Sequence, residues 1–98
     1  MHEHGLAKEL FPQLQNIAKN QGFGRVTRID MTIGTLHGVS ADFLAHSFEH
    51  VFKGTNFEGA VVNISTVDPG DEFTPPNSEQ RTVAHGWELL ISRIEGEE

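Results

Sequence analysis

The spacing of apolar residues changes period along this chain, and that change constrains the fold more than any other feature. Leu6, Leu10, Leu14, Ile17 and Ala18 fall at offsets 0, 4, 8, 11 and 12, one face of a helix with a 3.6-residue repeat. Pro12 removes one helical hydrogen bond and is expected to kink this helix or delay its start, and Gln21-Gly22-Phe23-Gly24 ends it. From Val26 to Ile33 the period becomes two. Ile29, Met31 and Ile33 point one way and Arg28, Asp30 and Thr32 the other, as in a half-buried strand. Gly34 to Gly38 is a tight loop. Ser40 is then a suitable N-cap, with Asp42 in the first helical turn. Phe43, Leu44, Phe48, Val51 and Phe52 form the core stripe of this second helix, which Gly54 stops. Ala60 to Val67 reads as a second strand and Glu88 to Ile94 as a third, with Glu95 to Glu98 a solvated acidic tail.

The order α-β-α-β-β leaves few solutions. A strand–helix–strand unit crosses over right-handed, so the first two strands are parallel. The economical answer is an α+β fold, a three-stranded mixed sheet covered on one face by two helices. With 98 residues, one domain over 1–98 is expected. The polar segment 68–81 holds Pro69, Gly70, Pro75 and Pro76 and is long for so small a domain. Its carboxylates Asp71 and Glu72 have nothing nearby to bury them, so a solvated loop is expected rather than an acid–base pair.

Composition excludes several classes. Seven Lys/Arg against fourteen Asp/Glu give a net charge of −7, which supplies no basic stripe for nucleic acid and no attraction to an anionic membrane surface. The chain has no cysteine, so no disulfide framework, thiolate zinc site, iron–sulfur cluster or Cys nucleophile can be built from it. Apolar runs stop at three residues, too short for a membrane span or signal-peptide core, so a cytoplasmic location is expected. No nucleophile elbow and no phosphate-cradling glycine loop is present. The chain is therefore not expected to be an enzyme. Six histidines are the enriched type.

Chain lengths place several of them together. A first helix of ~17 residues spans ~25 Å, about the length of the strand after it, and the turn between them is short. The amino terminus therefore comes back beside Gly34 to Gly38. If the third strand returns antiparallel, His85 and Trp87 enter at the same end, so that Met1, His2, His4, His37 and His85 share one end of the molecule. Met1-His2-Glu3 has a chemistry of its own there. A free α-amine, the amide nitrogen of residue 2 and its imidazole form fused chelate rings, and a planar nitrogen set favours Ni(II) or Cu(II). Both the amine and the imidazole must lose protons, so binding weakens in acid. On these three residues alone, a frayed terminal side chain is the plainer reading of His2, and His4 shares it. His37 reads evenly as a turn histidine or a ligand. His46 and His50, four apart with Glu49 between them, read as a solvated pair.

An ordered series then narrows the choice: Met1-His2-Glu3, Val26, Ile33-Gly34-Thr35-Leu36-His37-Gly38-Val39, Phe48-Glu49, Gly54-Thr55, Glu58-Gly59-Ala60 and Asn63-Ile64. In this series the chain resembles the hydrogenase/urease nickel-incorporation accessory proteins of the HypA/HybF type over roughly residues 1–67, and its last strand resembles their closing strand. The resemblance implies a metallochaperone carrying Ni(II) to the large subunit of a [NiFe]-hydrogenase beside a HypB-type GTPase. It places nickel on Met1, His2 and Glu3; His37, in the loop facing the terminus, is a further candidate ligand from the residues themselves. The family's zinc domain, with its two Cys-x-x-Cys pairs, is replaced here by 68–81, so no zinc is expected. The family often carries an acidic residue near position 40, where this chain has Ser40, with Asp42 two residues on. A metal-free adaptor in metalloenzyme maturation is the alternative reading. A homodimer is one way to cover an edge strand.

Overall fold

The computed structural model describes residues 3–98. Helix α1 runs Glu3–Asn20, strand β1 Arg25–Gly34, helix α2 Ala41–Phe52 and strand β2 Val61–Val67. The two-residue strands β3 (Glu72–Phe73) and β4 (Thr82–Val83) follow, and β5 (Leu89–Glu97) closes the chain. A single 3-10 turn, Thr35–His37, leads from β1 toward α2. The sheet order is β2-β1-β5, with β1 parallel to β2 and antiparallel to β5. This is the expected α+β arrangement, with the crossover helix between parallel strands.

The core forms where the two helical stripes meet β1. Ala7, Leu10, Leu14 and Ala18 from α1, Leu44, Phe48 and Phe52 from α2, and Val26, Ile29, Met31 and Ile33 from β1 are buried in one cluster. Phe11, Phe52 and Phe57 stack around one another with centroids 5.1 to 5.5 Å apart. Each such ring contributes about 1.5–3 kcal/mol of burial. Helix α1 continues through Pro12 and starts as early as Glu3. Phe43 departs from the expected stripe and is exposed. It lies at the edge of the wheel, one residue before Leu44, whereas Leu44, Phe48 and Phe52 repeat every four residues on the covered side. Phe57 takes the place in the core instead, from the turn after α2.

Val26 and Ile29 are three apart, yet both face inward. Strict alternation forbids this, and a bulge permits it: Val26 pairs with Gly96 and Arg28 with Glu95, leaving Thr27 as the extra residue. Ser92 is the matching extra residue on β5, and its hydroxyl donates to the Asp30 carbonyl at 3.1 Å. On the sheet face away from the helices, Asp30 accepts from Arg28 and from Asn63, both at 3.0 Å. The Arg28 guanidinium holds the Asp30 carboxyl below its ordinary value.

Two sequence expectations are corrected. Glu95 to Glu97 is no solvated tail; it continues β5 against Arg28, Val26 and Arg25, because backbone pairing asks little of the side chains. The 68–81 segment is not wholly loop either, since Glu72-Phe73 pairs with Thr82-Val83 in a small ribbon. Asp71 and Glu72 are exposed, as expected. Among the described residues no helix is long and apolar enough to cross a membrane.

Candidate metal centre

The carboxyl end of β1 gathers the groups of interest. Gly34 donates its amide to the Glu88 carbonyl at 2.8 Å, and Leu36 donates to the Gly86 carbonyl at 2.9 Å. These bonds lash the loop after β1 to the entry of β5. A Cβ on Gly34 would fall on the Gly86 carbonyl, so only glycine allows this approach. The His37 imidazole then reaches the Trp87 carbonyl through Nε2 at 2.9 Å, and the two rings meet edge to face. A carbonyl can only accept, so Nε2 carries the proton and Nδ1 keeps the lone pair that a metal would need.

His85 is committed differently. Its Nδ1 accepts from the Trp87 amide at 3.1 Å, while Nε2 lies 3.3 Å from the Glu88 carboxylate. Both ring nitrogens have structural partners. Glu88 is almost wholly buried. Burial pushes its pKa up, but the amides of His85, of Glu88 itself and of Gly86 together outweigh this and hold it below the usual carboxylate range. Glu88 is thus the keystone of the turn that presents His85 and Trp87.

The start of α1 arrives at the same end. Glu3 is buried, and its Oε2 accepts from the Ser40 amide at 3.0 Å. Ser40 in turn caps α2 by accepting from Phe43 at 3.4 Å. Glu3 therefore ties the first turn of α1 to the loop that carries His37, three residues upstream. Met1 and His2, the expected nickel residues, lie outside the described residues. His4 is exposed on α1 and Asp42 is exposed on α2. His46 and His50 are exposed on α2, and they point away from its buried stripe. Among the described residues, no three His, Asp or Glu side chains converge into a ready metal cage. Beside Trp87 an open groove of about 550 Å³ runs between the β3–β4 ribbon and β5, lined by Phe73, Pro75, Val83 and Leu90.

The family model described as hydrogenase/urease nickel incorporation, metallochaperone, hypA, matches residues 1–71. The chain belongs to that family. A HypA hydrogenase maturation factor from Xanthobacter autotrophicus is 37 % identical over 60 residues, covering 61 % of this chain and 53 % of the relative. One from Acidithiobacillus ferrooxidans is 34 % identical over 83 residues, covering 85 % and 73 %. On the first measure the chain spans about half the length of the curated relatives it matches. The solution structure of the nickel metallochaperone HypA from Helicobacter pylori superposes with a TM-score of 0.67 at 17 % identity, covering 99 % of this chain and 98 % of that one. That likeness establishes a shared HypA fold.

Two anchors of the HypA end escaped sequence reading. Glu88 looked like the plain start of a strand, and only its burial marks it as structural. Glu3 stands among the expected nickel residues, and nothing in the sequence signals that its carboxylate also accepts from the Ser40 amide. The signal available for the first was Gly86 between two ring residues, a turn glycine that the topology sets beside Gly34.

Proposed function

We propose that this chain is a nickel-binding accessory protein that hands Ni(II) on during maturation of a [NiFe]-hydrogenase. The observation that carries this reading is the tether between Glu3 and Ser40, together with membership of the HypA family. The tether fixes the base of the amino-terminal segment against the His37 loop, leaving the residues before Glu3 to act as the ligand arm. Met1 supplies its α-amine, and His2 supplies its amide and imidazole nitrogens. Glu3 supplies a further amide, and the ladder of a helix makes no use of its first four amides. The Glu3 side chain serves as the brace. His37 presents its Nδ1 from the neighbouring turn.

A planar nitrogen set suits d⁸ Ni(II) and leaves its two faces open, so an acceptor can approach before the chelate lets go. Ligand protons compete with the metal. Binding should weaken below about pH 7, as an amine of pKa ~8 and an imidazole of ~6.5 regain protons. The cargo's destination is the hydrogenase large subunit, with a HypB-type GTPase as the working partner and the cytoplasm as the location. No resident zinc is required by this scheme.

Exposed apolar surface favours a second reading. Trp87 and Val83 are exposed along the groove, as they would be in an adaptor that docks a maturation partner without holding metal. The two are separated by titrating Ni(II) into the native-start protein and into His2→Ala, following the yellow-range absorbance of planar nickel. The chaperone reading expects a saturable band in the first that is absent in the second, with unchanged circular dichroism. A flat titration of the native-start protein supports the adaptor instead.

A further inference from the structure

We infer that His46 and His50 form a second divalent-metal site on the outer face of α2, independent of the amino terminus. The four-residue spacing sets the imidazoles one helical turn apart on a single face. Leu44, Phe48 and Phe52 occupy the opposite, buried side, so both rings project into solvent. Their centroids are 4.9 Å apart. This separation is the telling quantity. With a metal–nitrogen bond of about 2.0–2.1 Å and about 1.1 Å more to the ring centre, each centroid lies ~3.2 Å from a bound ion. Two rings on one ion are then ~4.5 Å apart at a right angle and ~5.2 Å apart at the tetrahedral angle. The observed distance falls between these limits.

The rings now stand edge to face, at 86°. Turning a nitrogen of each toward a common point needs only rotation of exposed side chains. Glu49 supports the arrangement, with its Oε2 3.7 Å from His46 Nδ1. That leaves Nε2 of His46 on the far side of its ring, open to an ion, with the Glu49 carboxylate adding negative charge beside the pair. Asp42 lies one turn before His46 and Lys53 about one turn after His50, so the local charge does not repel a cation. A borderline ion such as Zn(II), Ni(II) or Cu(II), completed by water or an incoming ligand, fits two imidazoles. His50 is ten residues from Ser40, or ~15 Å along the helix. The site is therefore separate from the Glu3–Ser40 end.

The test uses the 98-residue chain with one residue added before Met1, which removes the terminal-amine chelate. Zn(II) is titrated while the imidazole ring signals are followed by NMR. His46 and His50 should shift together with one equivalent of ion, ahead of His4, His37 and His85. His50→Ala and His46→Ala should each weaken binding at least tenfold with the fold intact by circular dichroism. Superimposable isotherms for the extended protein and either variant would overturn the site, as would a shift confined to other histidines. Loss of nickel binding at the native amino terminus alone would bear only on the previous reading.

Discussion

Replacing Gly34 by Ala tests whether the approach of β1 to the entry of β5 organises the end that carries His37 and Trp87. The Gly34 backbone, at φ −73° and ψ 141°, is open to any residue. Glycine is demanded here by contact alone. An added methyl would fall on the Gly86 carbonyl and lie 2.6 Å from the Glu88 amide nitrogen. Two backbone bonds cross this seam, Gly34 to Glu88 and Leu36 to Gly86, each worth about 1 kcal/mol net. Overpacking adds about 1–3 kcal/mol. Reduced freedom of the unfolded chain offsets about 0.4–1 kcal/mol. The expected loss is about 2–4.5 kcal/mol, or some 10–35 °C in Tm at about 4–8 °C per kcal/mol for a domain of this size. Urea unfolding followed by the fluorescence of Trp87 measures it, and the emission should also move to the red as the His37 contact loosens. A change below about 0.5 kcal/mol would refute the reasoning, because a rigid seam cannot absorb a methyl group at so low a cost.

Phe48→Ala should cost about 3–5 kcal/mol, while Phe43→Ser should stay within about 0.5 kcal/mol; paired thermal melts decide whether the stripe follows burial or sequence pattern. Glu3→Ala strips the Ser40 amide of its acceptor and should cost about 1–3 kcal/mol in denaturant titration, with nickel affinity reduced but not abolished if the carboxylate is a brace and not a ligand. Glu88, held below its ordinary value of 4.5, stabilises the fold above that pH and loses its contribution as pH falls through the lower folded value. The stability gap between the parent and Glu88→Gln should therefore be full at pH 7 and close progressively below about pH 4.5; a gap that widens in acid contradicts the assignment.

Periodicity carried most of the fold. The stripes at Leu10/Leu14 and Leu44/Phe48 and the alternation through Ile29, Met31 and Ile33 were legible because each face buries against a single core. What periodicity missed is what it does not encode. Val26 faces inward only because Thr27 bulges, and a bulge changes phase without a residue signature. Phe57 enters the core from a turn. Gly96 and Glu97 extend β5 through backbone pairing alone. Strands of two residues, such as Glu72-Phe73, have no period to read. The convergence of Glu3, His37, His85 and Trp87 at one end was accessible from element lengths and turn lengths, because a helix and a strand of equal span must return to the same place. Which of those side chains are occupied by structure was not accessible. His85 spends both nitrogens on Trp87 and Glu88, a fact decided by rotamers and by the buried carboxylate that closes its own turn.

The claim that nickel is held by the amino terminus is tested most directly by calorimetric titration of Ni(II) into untagged protein beginning at Met1, beside the same chain with one residue added before it. The account predicts a site at one equivalent in the first that is lost or weakened at least a hundredfold in the second, leaving only the weaker imidazole binding on α2. Equal tight binding by both would contradict it and move the nickel away from Met1 and His2.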